Sequence, residues 1–401
     1  VSVRALAGNA ELSPFHELVT ETFVRPDDLT TVAAQFRRHH EGAPWAVPES
    51  VRGIVEDGEV LGGYFMHERV MRIGPALLPT ACIGGVVTRP HHRGRGVARA
   101  LMDDAIHRAR ERGLALLLLD GVGNFYHRFG YIDVYDETIC RIERVSAAAA
   151  MPEAYSVRPA CAEDAPELLD LYRRHAGQYG SFDWDVPSFE FRLAFWLEQG
   201  RAPLVAVNGD GVVEGYLAPD RDAWTSEELG ADTDDALFAL LRTAAERVPT
   251  EESMRWRLAP QSRAYFALAA SVPYVAEMEV FRDAGWMARA ADLGALLAAL
   301  VPALADRWER SHRPWRGTLD LRTEDGQLTG LQLGDTVRAV PPRGGMQVSA
   351  SVGALAQAVC GYRPMWWLTD GHGIQAPDGI TETLSILFPE LQFVINGTDA
   401  F

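Results

Sequence analysis

Cysteine is scarce in this sequence: four residues in 401, at positions 82, 140, 161 and 360, and no CxxC pair. That spacing offers neither a zinc site nor a disulfide framework and fits a reducing compartment, so a cytoplasmic protein is expected. No apolar run approaches the roughly 18 residues that a spanning helix needs, so no membrane segment is expected. The opening Val1-Ser-Val-Arg4 leads into a strand-like pattern with no apolar signal core. Positive charge is also in short supply: 38 Lys and Arg stand against 55 Asp and Glu, a formal net charge of −17. Such a field repels a nucleic-acid backbone and favours a cationic small molecule or a lysine-bearing peptide. A G-x-S-x-G elbow is missing, which disfavours a serine hydrolase. The pairs His39-His40 and His91-His92 invite a metal, but neighbouring residues of an extended segment point opposite ways. No carboxylate or cysteine lies at ligand spacing from them, so no metal is expected.

What is present is enough apolar sequence, 47% of the chain, for more than one core. The patterning divides it into 1–147, 153–287 and 288–401. In the first stretch, helices are expected over Pro14–Phe23 and Asp28–His40. Strands are expected over Val51–Glu56 and Glu59–Ile73, joined at Asp57-Gly58, and over Thr80–Thr88. Val97, Leu101, Ala105 and Ala109 recur every fourth residue, a helix that Gly113 should stop. Leu114–Leu119 then suits a buried strand. After the linker-like Ser146–Pro152, a second α/β stretch restarts at Tyr155. The third stretch alternates strands with DG turns, adds a Ser-capped helix at Ser351–Cys360 and ends on a strand, Leu391–Ile395. Core packing is expected of Trp366 and Trp367.

Chemistry concentrates in Val86-Val-Thr-Arg-Pro-His-His-Arg-Gly-Arg-Gly-Val-Ala-Arg-Ala-Leu101. A β-branched strand passes through a glycine-rich turn directly into an amphipathic helix. Free amides at the helix start, with the positive dipole end behind them, suit a pyrophosphate. Gly94 and Gly96 allow close approach, and Arg93 and Arg95 add charge. The third glycine of a dinucleotide fingerprint is missing.

Here the chain resembles the GCN5-related N-acetyltransferase (GNAT) superfamily, whose Gln/Arg-x-x-Gly-x-Gly/Ala signature stands as Arg93-Gly-Arg-Gly96-Val-Ala98. The resemblance implies acetyl-CoA as co-substrate. Amides over Arg93, Gly94, Arg95, Gly96, Val97 and Ala98 would hold its pyrophosphate. Val86, Val87 and Thr88 would pair with the pantetheine arm, and Asn124 would join the cofactor side. A narrower likeness follows: Leu119-Asp-Gly-Val-Gly-Asn-Phe-Tyr-His-Arg-Phe-Gly-Tyr131 resembles a segment of the Eis (enhanced intracellular survival) family. Those are multi-acetylating aminoglycoside acetyltransferases linked to antibiotic resistance. That implies a mixed α/β fold: a catalytic GNAT domain, a degenerate GNAT-like domain and a sterol-carrier-like (SCP2-like) α+β domain. It also implies a hexamer. His127 departs from the family's glycine, and Gly84-Gly85 stands where the family's best-known member has a bulky aromatic.

Acetyl transfer to an amine needs a base, because an alkylammonium has a pKa near ~10, and a proton for the thiolate, whose pKa is near ~8.5. Tyr126, a phenol protonated at neutral pH, is the candidate acid, while Tyr131 reads as core. The resemblance makes the α-carboxylate of Phe401 the candidate base. Asp27, Asp28, Gly85 and Asp399 are candidates for the amine side. Alternatives are a peptide-lysine acetyltransferase and a non-catalytic CoA- or lipid-binding protein.

Overall fold

The computed structural model of the chain describes residues 2–23, 37–38, 42–47, 49–148, 155–219, 225–249, 253–260 and 262–399. Contacts group the chain into two compact units: Val1–Val134 with Arg282–Glu390, and Tyr135–Phe281 with Leu391–Ala400. No described helix is long and apolar enough to cross a membrane.

The first stretch supplies β1 (Arg4–Ala5), α1 (Asn9–Phe23), β2 (Val51–Glu56), β3 (Glu59–Ile73), β4 (Ala76–Thr88), α2 (Val97–Glu111), β5 (Leu116–Gly121) and β6 (Ile132–Asp133). The expected hairpin is there. Asp57 and Gly58 both have positive φ, 51° and 83°, the backbone that a two-residue turn matching the strand twist requires. The helix expected over Asp28–His40 lies largely outside the described residues. α2 buries Val97, Leu101, Met102, Ala105 and Ala109, the fourth-residue stripe of the sequence, and Gly113 (φ 65°) follows it.

The middle stretch supplies β7 (Glu137–Glu143), α3 (Arg144–Ala148), β8 (Ser156–Pro159), α4 (Ala165–His175), β9 (Tyr179–Phe182), α5 (Val186–Glu198), β10 (Leu204–Val207) and β11 (Val213–Pro219). It continues with β12 (Thr225–Ala231), α6 (Asp234–Arg247), β13 (Ser253–Arg257), α7 (Arg263–Ser271) and β14 (Tyr274–Glu279). The last stretch has β15 (Gly285–Ala290), α8 (Leu293–Glu309), β16 (Gly317–Thr323), β17 (Leu328–Leu333), β18 (Val337–Val340) and β19 (Met346–Ala350). There follow α9 (Val352–Cys360), α10 (Met365–Thr369), β20 (Ile374–Gln375) and α11 (Thr381–Leu387). Ser351 caps α9 through the Ala354 amide, and Gly361 ends it in the left-handed region, as expected.

Within the first unit one sheet runs β1-β2-β3-β4-β5-β15-β6 and another β18-β17-β16-β19-β20, and the second unit holds β14-β7-β13-β12-β11-β10-β8. The larger sheets are thus completed out of chain order. β15, from beyond the middle stretch, fills the place between β5 and β6, and β7 fills the matching place between β13 and β14. A mixed α/β architecture results. Two expectations need correcting. Leu391–Asn396 has no strand assigned; one main-chain bond, Val394 N–H to the Tyr179 carbonyl at 2.9 Å, holds it, not a ladder. Trp366 and Trp367 are exposed, not core; Trp367 stacks on His372 at 3.7 Å.

Candidate active site

β4 and β5 run parallel through Thr80–Cys82 and Leu116–Leu118. Among the described residues their ladder ends there, so Ile83–Thr88 and Leu119–Gly121 border an open fork. On its other edge β4 stays paired with β3, but the register shifts: Phe65 faces Gly84 and Gly63 faces Val87. Gly85 and Val86 therefore stand opposite Tyr64 alone, a β-bulge that takes their main-chain groups out of the regular ladder. Gly85 has φ +58°, and a Cβ there would come within 2.8 Å of the Phe65 ring. A Cβ on Gly84 would strike the same ring. The glycine pair is what lets Phe65 lie across the strand.

Beyond β4 the chain makes a tight turn at Pro90–His92, then a loop whose Gly94 and Gly96 have φ of 76° and 84°. Gly96 is the N-cap of α2 and brings no side chain to its first turn, which also lacks acidic residues. The first amides of a helix have no acceptor inside it, so here they remain available to an anion, with the dipole behind them. A Cβ at either glycine would meet nothing within 4 Å; the backbone there faces open space. Arg95 Nη1 lies 2.9 Å from His92 Nδ1, and Arg93 Nε donates to the Thr88 carbonyl at 3.4 Å. Asp104 holds the body of α2 to the sheet, taking Arg52 Nε at 2.6 Å and the Tyr64 hydroxyl at 2.7 Å. These residues fit the diphosphate of a coenzyme A.

Tyr126 sits just past the end of β5, in the short helical turn Tyr126–Phe129 that Gly130 (φ 79°) closes. A Cβ on Gly121 would lie 3.2 Å from its ring, so the glycine at the strand end makes room for it. The ring is 6% exposed and shares an apolar cluster with Ile83, Val97, Leu101 and Leu119. Its centroid is 4.9 Å from Phe125 and 6.0 Å from Tyr131. Burial, and then the charge of Asp120, push its phenol up to about 12. Tyr131 is buried core, as the sequence suggests.

The structure thus brings Gly85, Val86, Val87, Thr88, Arg93–Ala98 and Tyr126 to one fork in the first unit. Asn124 (φ 61°) lies on the loop between β5 and Tyr126, its amide donating to the Asp283 carbonyl at 3.1 Å. Asp399 lies in the second unit with 0% exposure. Its carboxylate accepts from the Tyr172 hydroxyl at 2.8 Å and Trp184 Nε1 at 3.0 Å, the surroundings of a structural anion. Asp27, Asp28 and Phe401 lie outside the described residues. Sequence reasoning missed Phe65 behind the glycine pair and the Arg52–Asp104–Tyr64 group. Two adjacent glycines inside a strand were the available signal for the former.

Residues 2–132 match the acetyltransferase (GNAT) domain family. This chain carries a GNAT domain. The family match covers its fork, its glycine loop and Tyr126. A 144-residue stretch is 30% identical to the uncharacterised protein YGR111W of Saccharomyces cerevisiae; it spans 32% of this chain and about a third, 31%, of that relative. A probable N-acyltransferase of unknown function from Enterococcus faecalis V583 is similar in structure, with TM-score 0.76, 16% identity and coverage of 97% and 96% of the two chains. Eis1 from Mycobacterium abscessus is similar at TM-score 0.64 and 18% identity, over 99% and 98%. At such identities the likeness shows a shared fold along nearly the whole chain, the GNAT domain included.

Proposed function

We propose that this chain is an acetyl-CoA-dependent N-acetyltransferase acting on amines of aminoglycosides or similar polyamines. The observation that carries the reading is the fork between β4 and β5, with the uncapped start of α2 at Gly96 beside it. The acceptor class draws on the net charge of −17 and on the Eis resemblance. The same resemblance carries over a hexameric assembly, which sedimentation velocity would test.

In this reading the loop amides over Arg93–Ala98 hold the diphosphate, and main chain at Val86–Thr88 aligns the pantetheine arm. The bulged Val86 amide would serve as the donor to the thioester oxygen, where negative charge develops. The amine nitrogen bonds to the carbonyl carbon while the carbon–sulfur bond breaks. The ammonium gives one proton to the α-carboxylate of Phe401 before attack and, as the amide forms, releases a second to solvent, while Tyr126 protonates the departing thiolate and recovers its own proton from solvent. A phenol pushed up to about 12 arrives protonated at neutral pH.

The test is release of thiol from acetyl-CoA across a panel of aminoglycosides and lysine peptides. Tyr126→Phe should lower kcat by about 10²-fold or more while calorimetric coenzyme A affinity stays put. Residues appended after Phe401 should cripple turnover without unfolding the protein. Absence of thiol release with every amine would overturn the reading, and release with lysine peptides alone would move the acceptor to protein.

A further inference from the structure

The second sheet forks as the first does. β12 and β13 run parallel only at Thr225–Arg255 and Ser226–Trp256, while β12 stays paired with β11 as far as Ala231. Among the described residues, β12 beyond Ser226 has no ladder partner in β13. α6 then begins at Asp234, after a short loop that follows β12 as the glycine loop follows β4.

This helix start is built against an anion. Thr233 caps it by accepting from the Ala236 amide at 3.1 Å, and Asp234 and Asp235 occupy the first turn. Asp232, just before, is paired with Arg174 at 2.8 Å and His175 at 2.7 Å. Where the first unit offers open amides and no acidic residue in the first helical turn, the second offers a satisfied amide and carboxylates that already engage the nearby cations, Arg263 on Asp234 at 3.1 Å among them. A diphosphate is repelled there.

The chain's own tail occupies the space. Val394, Ile395 and Asn396, together with Leu229 of β12 and Arg257 and Leu258 at the end of β13, line a residual cavity of about 30 Å³, room for a single water. Gly180 (φ +101°) lies so close to the Val394 carbonyl that a Cβ would strike it. The Val394 amide donates to the Tyr179 carbonyl at 2.9 Å, and Asn396 Nδ2 to the Ala176 carbonyl at 3.3 Å. The last anchor is Asp399. Besides Tyr172 and Trp184 it meets Arg192, 3.5 Å away. Arg192 also pairs with Glu228 at 2.6 Å, and its guanidinium lies 4.6 Å from the Trp196 ring. The Tyr216 hydroxyl of β11 donates to Glu228 at 2.6 Å, so a tail carboxylate completes a buried polar cluster whose other members come from α4, α5, β11 and β12 and the loop bearing Trp184.

The geometry points to a receptor role for the second unit: its fork, whose counterpart in the first unit suits a coenzyme diphosphate, seats the chain's own segment Leu391–Asp399, with Asp399 as the positioning residue that moors it. The mooring stands apart from the acetyltransferase reading. The consequence for turnover rests on that reading, since it needs the tail to present the base.

Hydrogen exchange of the full chain, followed by mass spectrometry, reads the mooring directly. In the wild type the Val394 and Asp399 amides should exchange as slowly as those of β12. Asp399→Ala should speed exchange across 391–399 about tenfold or more without touching α2. Asp399→Asn keeps one acceptor oxygen, enough for Tyr172 or Trp184 but not both, and should fall between. Calorimetry should find one coenzyme A per chain in all three. With the tail loosened, kcat should drop about tenfold at unchanged KM for acetyl-CoA and recover partly in Asp399→Asn. Rapid tail exchange in the wild type, unaltered exchange in Asp399→Ala, or a second coenzyme A per chain would overturn the receptor role. Unchanged kcat in a variant whose tail exchanges freely would strike out the positioning role. If no amine is acetylated by the wild type, the exchange result still decides the mooring.

Discussion

The Tyr64 hydroxyl on β3 donates a 2.7 Å hydrogen bond to Oδ2 of Asp104 on α2. Arg52 of β2 reaches the same carboxylate through Nε at 2.6 Å and Nη2 at 3.0 Å. One side chain therefore fixes the glycine-capped helix to two strands. Replacing Asp104 with alanine leaves a buried phenol and a largely buried guanidinium without their acceptor, at about 2–4 kcal/mol. Asp104→Asn retains an acceptor and should cost roughly half as much. Urea midpoints of the three proteins check the order, and equal midpoints would remove the tether.

Gly96 and Gly113 bracket α2, with φ of 84° and 65°, and a Cβ at either would meet open space. Alanine at each should therefore cost the same, about 1–2 kcal/mol for the left-handed backbone. Only Gly96→Ala should also weaken coenzyme A binding, by about tenfold or more, because in the proposed reading only that end aims amides at the diphosphate. Calorimetry on the pair separates the two effects. Matched affinities would mean that the loop does not grip the cofactor.

The hairpin at Asp57-Gly58, the stripe of α2 and the loop at Arg93–Ala98 were legible because each depends on local rules: turn chemistry, helical period, backbone access. Gly85 was legible as a site residue only through resemblance. Its bulge arises from a register shift against Phe65 and Gly63, and register is a property of two strands. The placement of β15 beside β5 was not legible either. The sequence did not single out Gly285–Ala290 or Glu137–Glu143, and nothing within six or seven residues says which sheet they complete. Asp399 was singled out for its charge, yet its partners Tyr172 and Trp184 lie more than 200 positions away in sequence.

Buried phenols set an alkaline limit to stability. Tyr64, Tyr126, Tyr131, Tyr172 and Tyr216 are all raised, burial being the first cause in each. A group whose folded pKa exceeds its unfolded value of about 10 contributes stability that is complete below that pH and lost as pH climbs toward the folded value. For Tyr126, moved up to about 12, the loss by that pH is about 2–3 kcal/mol. Denaturation midpoints should be level up to about pH 9 and fall steeply from about pH 10, with tyrosinate absorbance appearing together with unfolding. Tyr126→Phe should blunt the fall. Tyrosinate that forms in the folded protein near pH 10 would show that these phenols are not held back.

All 38 basic residues of this chain are arginine; lysine does not occur. A guanidinium stays protonated above pH 12 and is no nucleophile, whereas a lysine amine has a reactive free fraction near neutrality. In the proposed reading the chain therefore presents no side-chain amine of its own to the thioester, and Arg93 and Arg95 keep their charge at the loop. Prolonged incubation with acetyl-CoA should leave the intact mass without side-chain acetyl groups. Multiple acetylation of the wild type would show that the absence of lysine does not protect this site.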